Sequence, residues 1–137
     1  MNSKKMMKNP KRRGEWAELQ FMAKAAKLGL RISKPWGEFR YDVVVETRGR
    51  FVRVQVKSTI CLRRKGFYSC SVKPSATSQP YHLGEFDFVA AYLIPEDVWF
   101  ILPAKVVVHG KRGTILLCSS NPTGKYEAYR EAWDLLR

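Results

Sequence analysis

The sequence predicts a mixed α/β domain, and three observations carry that prediction. Residues from about Arg13 to Leu28 repeat apolar side chains at helical spacing. The stretch from Arg40 to Ser58, RYDVVVETRGRFVRVQVKS, holds two β-branched runs around a glycine turn. Further strand-length runs follow, and the chain closes on an aromatic stripe at helical spacing. Its 137 residues fit one domain, large enough to bury a core without staples. The expected organisation is a basic flexible arm over residues 1–13 and a single domain over 14–137.

The arm carries Lys4, Lys5, Lys8, Lys11, Arg12 and Arg13 with almost nothing to pack, so it is expected to lack structure alone and to bind phosphates. In the helix that follows, Trp16, Leu19, Ala23, Ala26 and Leu30 form the apolar stripe, and Gly29 is placed to end it. Glu15 and Glu18 lie one turn apart and are its only acids. The helix dipole accounts for Glu15, whereas Glu18 needs a tertiary context. Arg31 to Phe39 is a connector with room for a short strand, broken by Pro35 and Gly37.

The hairpin comes next. If Arg48-Gly49 is a two-residue turn, Thr47 faces Arg50, Val45 faces Val52, Val43 faces Val54 and Asp42 faces Gln55. Directly paired residues share a face, so Val43, Val45, Val52, Val54 and Val56 make a core side. Asp42, Gln55 and Lys57 then share the other side.

Beyond it, Arg63-Arg64-Lys65 reads as a basic turn and Phe67 to Lys73 as a third strand. Pro74 to Gly84 is a Ser/Thr/Pro-rich loop, expected to be mobile without ligand and distinguished by Gln79, Tyr81 and His82. Glu85 to Leu93 and Val98 to Leu102 form a second hairpin across Pro95-Glu96-Asp97. Pro103 to Val107 is a helical turn, and Thr114 to Cys118 is a last strand after the Lys111-Arg112-Gly113 turn. Tyr126, Tyr129, Trp133 and Leu136 then predict an amphipathic C-terminal helix whose stripe is either core or a contact between subunits.

Lys and Arg number 25 against 12 Asp and Glu, a formal net charge of +13. A surplus of that size points to nucleic acid, with a solubilising surface as the plainer alternative. Lys11, Arg12, Arg13, Arg63, Arg64 and Lys65 are the candidate phosphate contacts. The three cysteines, Cys61, Cys70 and Cys118, show no CxxC spacing and read as small core residues in a reducing compartment. No signal-peptide core and no apolar run of membrane length is present, so a cytoplasmic protein is expected. There is no GxSxG, no GxxxxGK[ST] and no GxGxxG, and the two histidines, His82 and His109, leave triad and zinc chemistry little to work with.

What remains is a set of oxygen ligands beside a lysine. Phosphodiester cleavage needs an activated water and something to absorb charge on the phosphate, and a magnesium ion supplies both. Asp42 offers a carboxylate, Gln55 and the Val56 main chain offer carbonyl oxygens, and Glu18 would complete the set from the helix. Lys57 is placed to orient the water or steady the transition state. Asp42 as a strand-start residue, Gln55 as an ordinary polar position and Lys57 as a surface lysine are the alternatives.

The helix with Gly14-Glu15-x-x-Glu18, then YDVVVE, a glycine turn and VRVQVKS, resembles the PD-(D/E)XK nuclease superfamily. It is most similar to the group I intron homing endonucleases in which the second motif reads QxK, and more distantly to archaeal Holliday junction resolvases. The likeness is specific over Arg13 to Ser58 and looser over FDFVAAYLIPEDVWFILP. It implies a restriction-endonuclease-like core, with a mixed β-sheet and a β-hairpin active site flanked by helices. It also implies a magnesium-dependent endonuclease on double-stranded DNA, with manganese as a substitute ion, working as a homodimer or tetramer. Glu18 and Asp42 would be metal ligands, Gln55 would stand in the usual acidic position, Lys57 would be the catalytic lysine, and Glu15 a neighbour. Two positions depart from the pattern: Tyr41 replaces the proline, and Gln55 removes one negative charge. Against this reading stand an inactive DNA-binding module on the same fold and a junction resolvase.

Overall fold

The structure, a computed structural model, describes residues 2–73, 82–108 and 113–137. Helix α1 spans Ser3–Lys8 and helix α2 spans Pro10–Lys27. The expected structureless arm is therefore helical. Asn2 caps α1 by accepting the Lys5 N–H, and Asn9 caps α2 by accepting the Arg12 N–H. Pro10 then occupies the first helical position, where its missing N–H costs nothing. Arg13 is drawn into this junction, donating from Nη1 to the Met7 carbonyl at 2.8 Å, while Lys11 and Arg12 stay exposed.

The buried stripe of α2 is Ala17, Phe21 and Ala25, not the one read from Leu19, Ala23 and Ala26, all three of which are exposed. Alanines one turn either side of Phe21 let the helix lie close to the sheet, with Phe21 as the inserted ring. At the C-terminal end, Gly29 takes φ +81°, Gly29 N–H bonds Ala26 O and Leu30 N–H bonds Ala25 O. These two bonds satisfy the last carbonyls of the helix and turn the chain back toward the sheet.

Strands β1 (Arg31–Ser33), β2 (Val43–Thr47), β3 (Arg50–Thr59), β5 (Phe88–Leu93) and β6 (Val98–Pro103) form one sheet in the order β1-β2-β3-β5-β6. Only β3 and β5 are parallel, so the sheet is mixed. The hairpin register is the expected one, with Val43 opposite Val54, Val45 opposite Val52 and Thr47 opposite Arg50. Its turn has positive φ at both central residues, Arg48 at 47° and Gly49 at 77°, which matches the right-handed twist of the flanking strands.

The sheet is covered on both faces. On one, Phe21 packs with Trp99 and Trp133 beside the hairpin valines, with ring centroids 5.7 and 5.3 Å from Phe21. On the other, β4 (Tyr68–Ser71) pairs antiparallel with β7 (Thr114–Leu117) as a second small sheet. It packs with helix α3 (Ala104–Val107) against Val89, Ala91, Phe100 and Leu102. Strand β5 lies between these layers and is buried almost throughout, as its near-continuous apolar sequence requires.

The C-terminus differs from the amphipathic helix expected of it. It forms two short 3-10 turns, Glu127–Tyr129 and Trp133–Leu136, separated by Glu131 at φ +51°. The interruption is tertiary in origin. Glu131 N–H donates to Trp99 O, and the Glu131 carboxylate accepts both Trp99 N–H and Trp133 Nε1–H. Tyr126, Trp133 and Leu136 are buried, so the stripe is core. Of the cysteines only Cys70 is buried; Cys61 is exposed and Cys118 half-buried. Among the described residues no helix is long and apolar enough to cross a membrane. The positions Gln79, Tyr81, His109, Lys111 and Arg112 lie outside the described residues.

Candidate active site at the hairpin

Asp42 stands just before β2, and its backbone N–H donates at 2.9 Å to the carbonyl of Val54, the residue opposite Val43, so the expected pairing of Asp42 with Gln55 is not formed. Its side chain then turns across to β3, where Oδ2 accepts the Val56 N–H at 2.8 Å. A carboxylate at the start of a strand can reach an N–H on the neighbouring strand only if the pairing stops there, and the connector before Asp42 leaves that space. Because N–H and C=O of one strand residue point to the same edge, the Val56 carbonyl is directed to the Asp42 side as well.

Gln55 and Lys57 project to the opposite face from Val54 and Val56, toward the layer of β4 and β7. Gln55 is buried, at 8% exposure. Lys57 is half-buried, and its Nζ donates to Lys73 O at 2.8 Å, just beyond β4. Glu18 arrives from α2 and is half-buried. It accepts Lys34 Nζ at 2.5 Å, Lys34 being the first residue after β1. Glu15 is exposed one turn earlier.

The electrostatics join these elements. Burial pushes the Asp42 carboxyl up to about 6. The Val56 N–H opposes that rise, the nearby Glu18 adds to it, and Lys34 and Lys57 counter it. Burial also draws Lys57 below the ordinary lysine value, with Asp42 pulling the other way. Beside Lys57 the buried Cys70 thiol is pushed up to about 12, which keeps it an inert thiol. Glu18, Asp42 and Lys57 are thus within one electrostatic neighbourhood, on a helix, the start of one strand and the middle of the next. Lys34 is a member that sequence reasoning missed. A lysine in a connector has no local pattern to mark it, and only the return of β1 beside α2 brings it to Glu18.

The Asp42 carboxylate, which burial makes costly as an anion, with the Glu18 carboxylate near it and amide and main-chain oxygens beside it, fits a hard divalent cation. Among the described residues no group of three or more His, Cys, Asp or Glu side chains is gathered. Oxygens of Gln55 and Val56 would be the further donors to such an ion.

The candidate phosphate contacts are spread more widely. Arg63, Arg64 and Lys65 are all exposed at a 3-10 turn over Arg64–Gly66, with Lys65 at φ +56°. Arg53, from the middle of β3, is held away from any such role. It makes a two-pronged contact with Asp87 at 3.2 Å and donates to Gly84 O at 2.7 Å.

A family model described as PD-(D/E)XK endonuclease matches residues 8–136. Among solved structures, the chain is similar to a bacterial homing endonuclease, I-Ssp6803I, with a TM-score of 0.76 and 26% identity over 93% of this chain and 91% of that one. No match was found among curated proteins.

Proposed function

This chain belongs to the PD-(D/E)XK endonuclease family, and from that premise we propose a magnesium-dependent endonuclease of the homing type that cuts double-stranded DNA. The observation that carries the proposal is the convergence of Glu18, Asp42 and Lys57, with the Glu18 charge raising the Asp42 carboxyl and Lys57 opposing that rise. The solved homing endonuclease, similar over nearly its whole length, supports the finer type.

Glu18 and Asp42 would hold the ion, with the Gln55 side chain and the Val56 carbonyl supplying neutral oxygens. Manganese would serve in its place. The ion supplies an activated water and absorbs charge on the scissile phosphate. Asp42 is held by the Val56 N–H through Oδ2, which would leave Oδ1 for the ion and reduce the side-chain freedom lost on binding. Lys57, whose Nζ donates to Lys73 O, would steady charge on the reacting phosphate or orient the attacking water. Gln55 in place of an acid lowers the site's charge and favours one ion over two.

The replacement by Gln55, and the absence of a three-acid cluster among the described residues, favour a second reading, an inactive DNA-binding module on this fold. Incubation with mixed-sequence plasmid and with the natural target region, with and without magnesium or manganese, separates the two. Magnesium-dependent nicking that disappears in Asp42→Ala and Lys57→Ala, with the melting transition retained, supports the nuclease. Salt-sensitive binding with no product under either ion supports the binding module. Preference for a four-way junction over linear duplex would point instead to a resolvase. A dimer or tetramer is the expected assembly, and light scattering measures it.

A further inference from the structure

Between β1 and β2 the chain reads Lys34-Pro35-Trp36-Gly37-Glu38-Phe39-Arg40-Tyr41, and Trp36 is 97% exposed. The other tryptophans behave differently. Trp99 and Trp133 are buried at 3% and 5%, and Trp16 is half-buried. A single exposed apolar side chain needs no explanation by itself. Trp36, however, sits at a bend built to present it. Pro35 restricts the backbone on one side and is half-buried, while Gly37 takes φ +98° on the other, a conformation an L side chain rarely adopts.

The base of the bend is pinned. Phe39 stacks on Tyr41 with centroids 5.3 Å apart and planes at 24°. The Arg53 guanidinium lies 6.0 Å from the Tyr41 ring centre and is itself held by Asp87. Phe39 remains 56% exposed, so two aromatic rings rise from one stiff loop.

Both ends of this loop lie at the candidate active site. Lys34 is ion-paired with Glu18, and Asp42 follows Tyr41 directly. Two residues span at most about 7 Å of chain, so the Trp36 backbone stays within that distance of Lys34. Lys34 and Arg40 flank the rings, Lys34 paired with Glu18 and Arg40 with Glu85 at 3.8 Å, with Glu38 as the acid within the loop, in a chain of net charge +13. A surface of exposed aromatics between cations, next to a site for phosphodiester chemistry, is complementary to nucleic acid. The exposed rings take base or sugar faces, and phosphates would compete with Glu18 and Glu85 for the two cations.

We infer that Trp36 is the tip of a DNA-contacting wedge that packs against the duplex beside the scissile phosphate. This rests on the reading of the chain as a DNA endonuclease and assigns it a contact residue outside the metal site.

The test uses the full chain in EDTA with a mixed-sequence duplex, so that binding is measured without cleavage. Acrylamide quenching reads the exposed tryptophan, and fluorescence anisotropy of labelled DNA reads affinity. Duplex should protect the quenchable emission, and Trp36→Phe should lack that component while binding within about threefold of the parent. Trp36→Ala should bind about tenfold more weakly, with an unchanged slope of log Kd against log salt because no ionic contact is lost. Quenching that DNA leaves unaltered, or parent-like affinity in Trp36→Ala, overturns the inference. So does a parent that binds no duplex. A fall in mass of Trp36→Ala by light scattering, with DNA affinity unchanged, would assign the loop to a second copy of the chain instead. Absence of cleavage with magnesium of both this duplex and the natural target region, while Trp36 is still protected, would remove the nuclease reading and leave a DNA contact at Trp36 standing.

Discussion

Lys34 donates to Glu18 across the gap between β1 and α2, at 2.5 Å, and so holds an ammonium against one of the two carboxylates at the hairpin. A cation entering that site competes with it. Side-chain exposures of 47% and 26% keep the pair partly screened, so the competition is modest. Lys34→Ala should tighten manganese binding about threefold, measured by titration calorimetry. Unchanged affinity would mean that the ion does not draw on Glu18.

The basic turn offers a second test, this one of DNA affinity. Arg63, Arg64 and Lys65 are exposed together, and each phosphate contact contributes about 0.9 to the slope of log Kd against log salt. Replacing all three with alanine should reduce that slope by about two to three and weaken binding to every sequence alike. A loss confined to one sequence would instead mark base contacts.

Glu131 ties the C-terminus to β6 through two N–H donors, Trp99 N–H at 2.8 Å and Trp133 Nε1–H at 2.7 Å. Both belong to buried tryptophans, so Glu131→Ala leaves desolvated donors without this acceptor. Chemical denaturation should show a loss of about 2 kcal/mol. Since Trp133 stacks on Phe21 of α2, the loosening should reach the helix that carries Glu18.

Acid should weaken the join between β3 and the start of β5. Burial by itself would raise the Asp87 carboxyl, but hydrogen bonds from the Arg53 side chain and backbone, with Arg53 and Arg50 charge, bring it below its ordinary value. A carboxyl lowered in the folded state contributes stability that is complete above its unfolded value of 3.8 and is lost as pH falls through the folded value. Denaturation midpoints measured below pH 4 should therefore fall less steeply with acid in Asp87→Asn than in the parent. Equal slopes would show that Arg53 gains nothing from the charge.

The hairpin was legible because everything that sets it is local. The Arg48-Gly49 turn and the alternation of valines define the register from Val43 opposite Val54 to Thr47 opposite Arg50 within a few residues, whereas counting on to Asp42 opposite Gln55 fails, because the Asp42 N–H bonds Val54 O. The caps at Asn9 and Gly29 are equally local, and Asn9-Pro10 is a start signal that extends α2 back beyond Arg13. The stripe of α2 was misread because alanines and a leucine occur all round the helix, so periodicity did not select a face. The fit of Phe21 against Trp99 and Trp133 did.

By itself, the sequence determined the family and most of the strands, and it nominated the candidate site residues, since these rest on turn chemistry, period-two patterning and short motifs. Tertiary structure decided what distant segments do to one another. It set β5 parallel to β3, gave the small β4-β7 sheet to the face of Lys57, and broke the C-terminal helix at Glu131. It also brought Glu18 beside Asp42 and paired it with Lys34. Such contacts carry no signature along the chain, because they arise from burying both faces of one sheet at once.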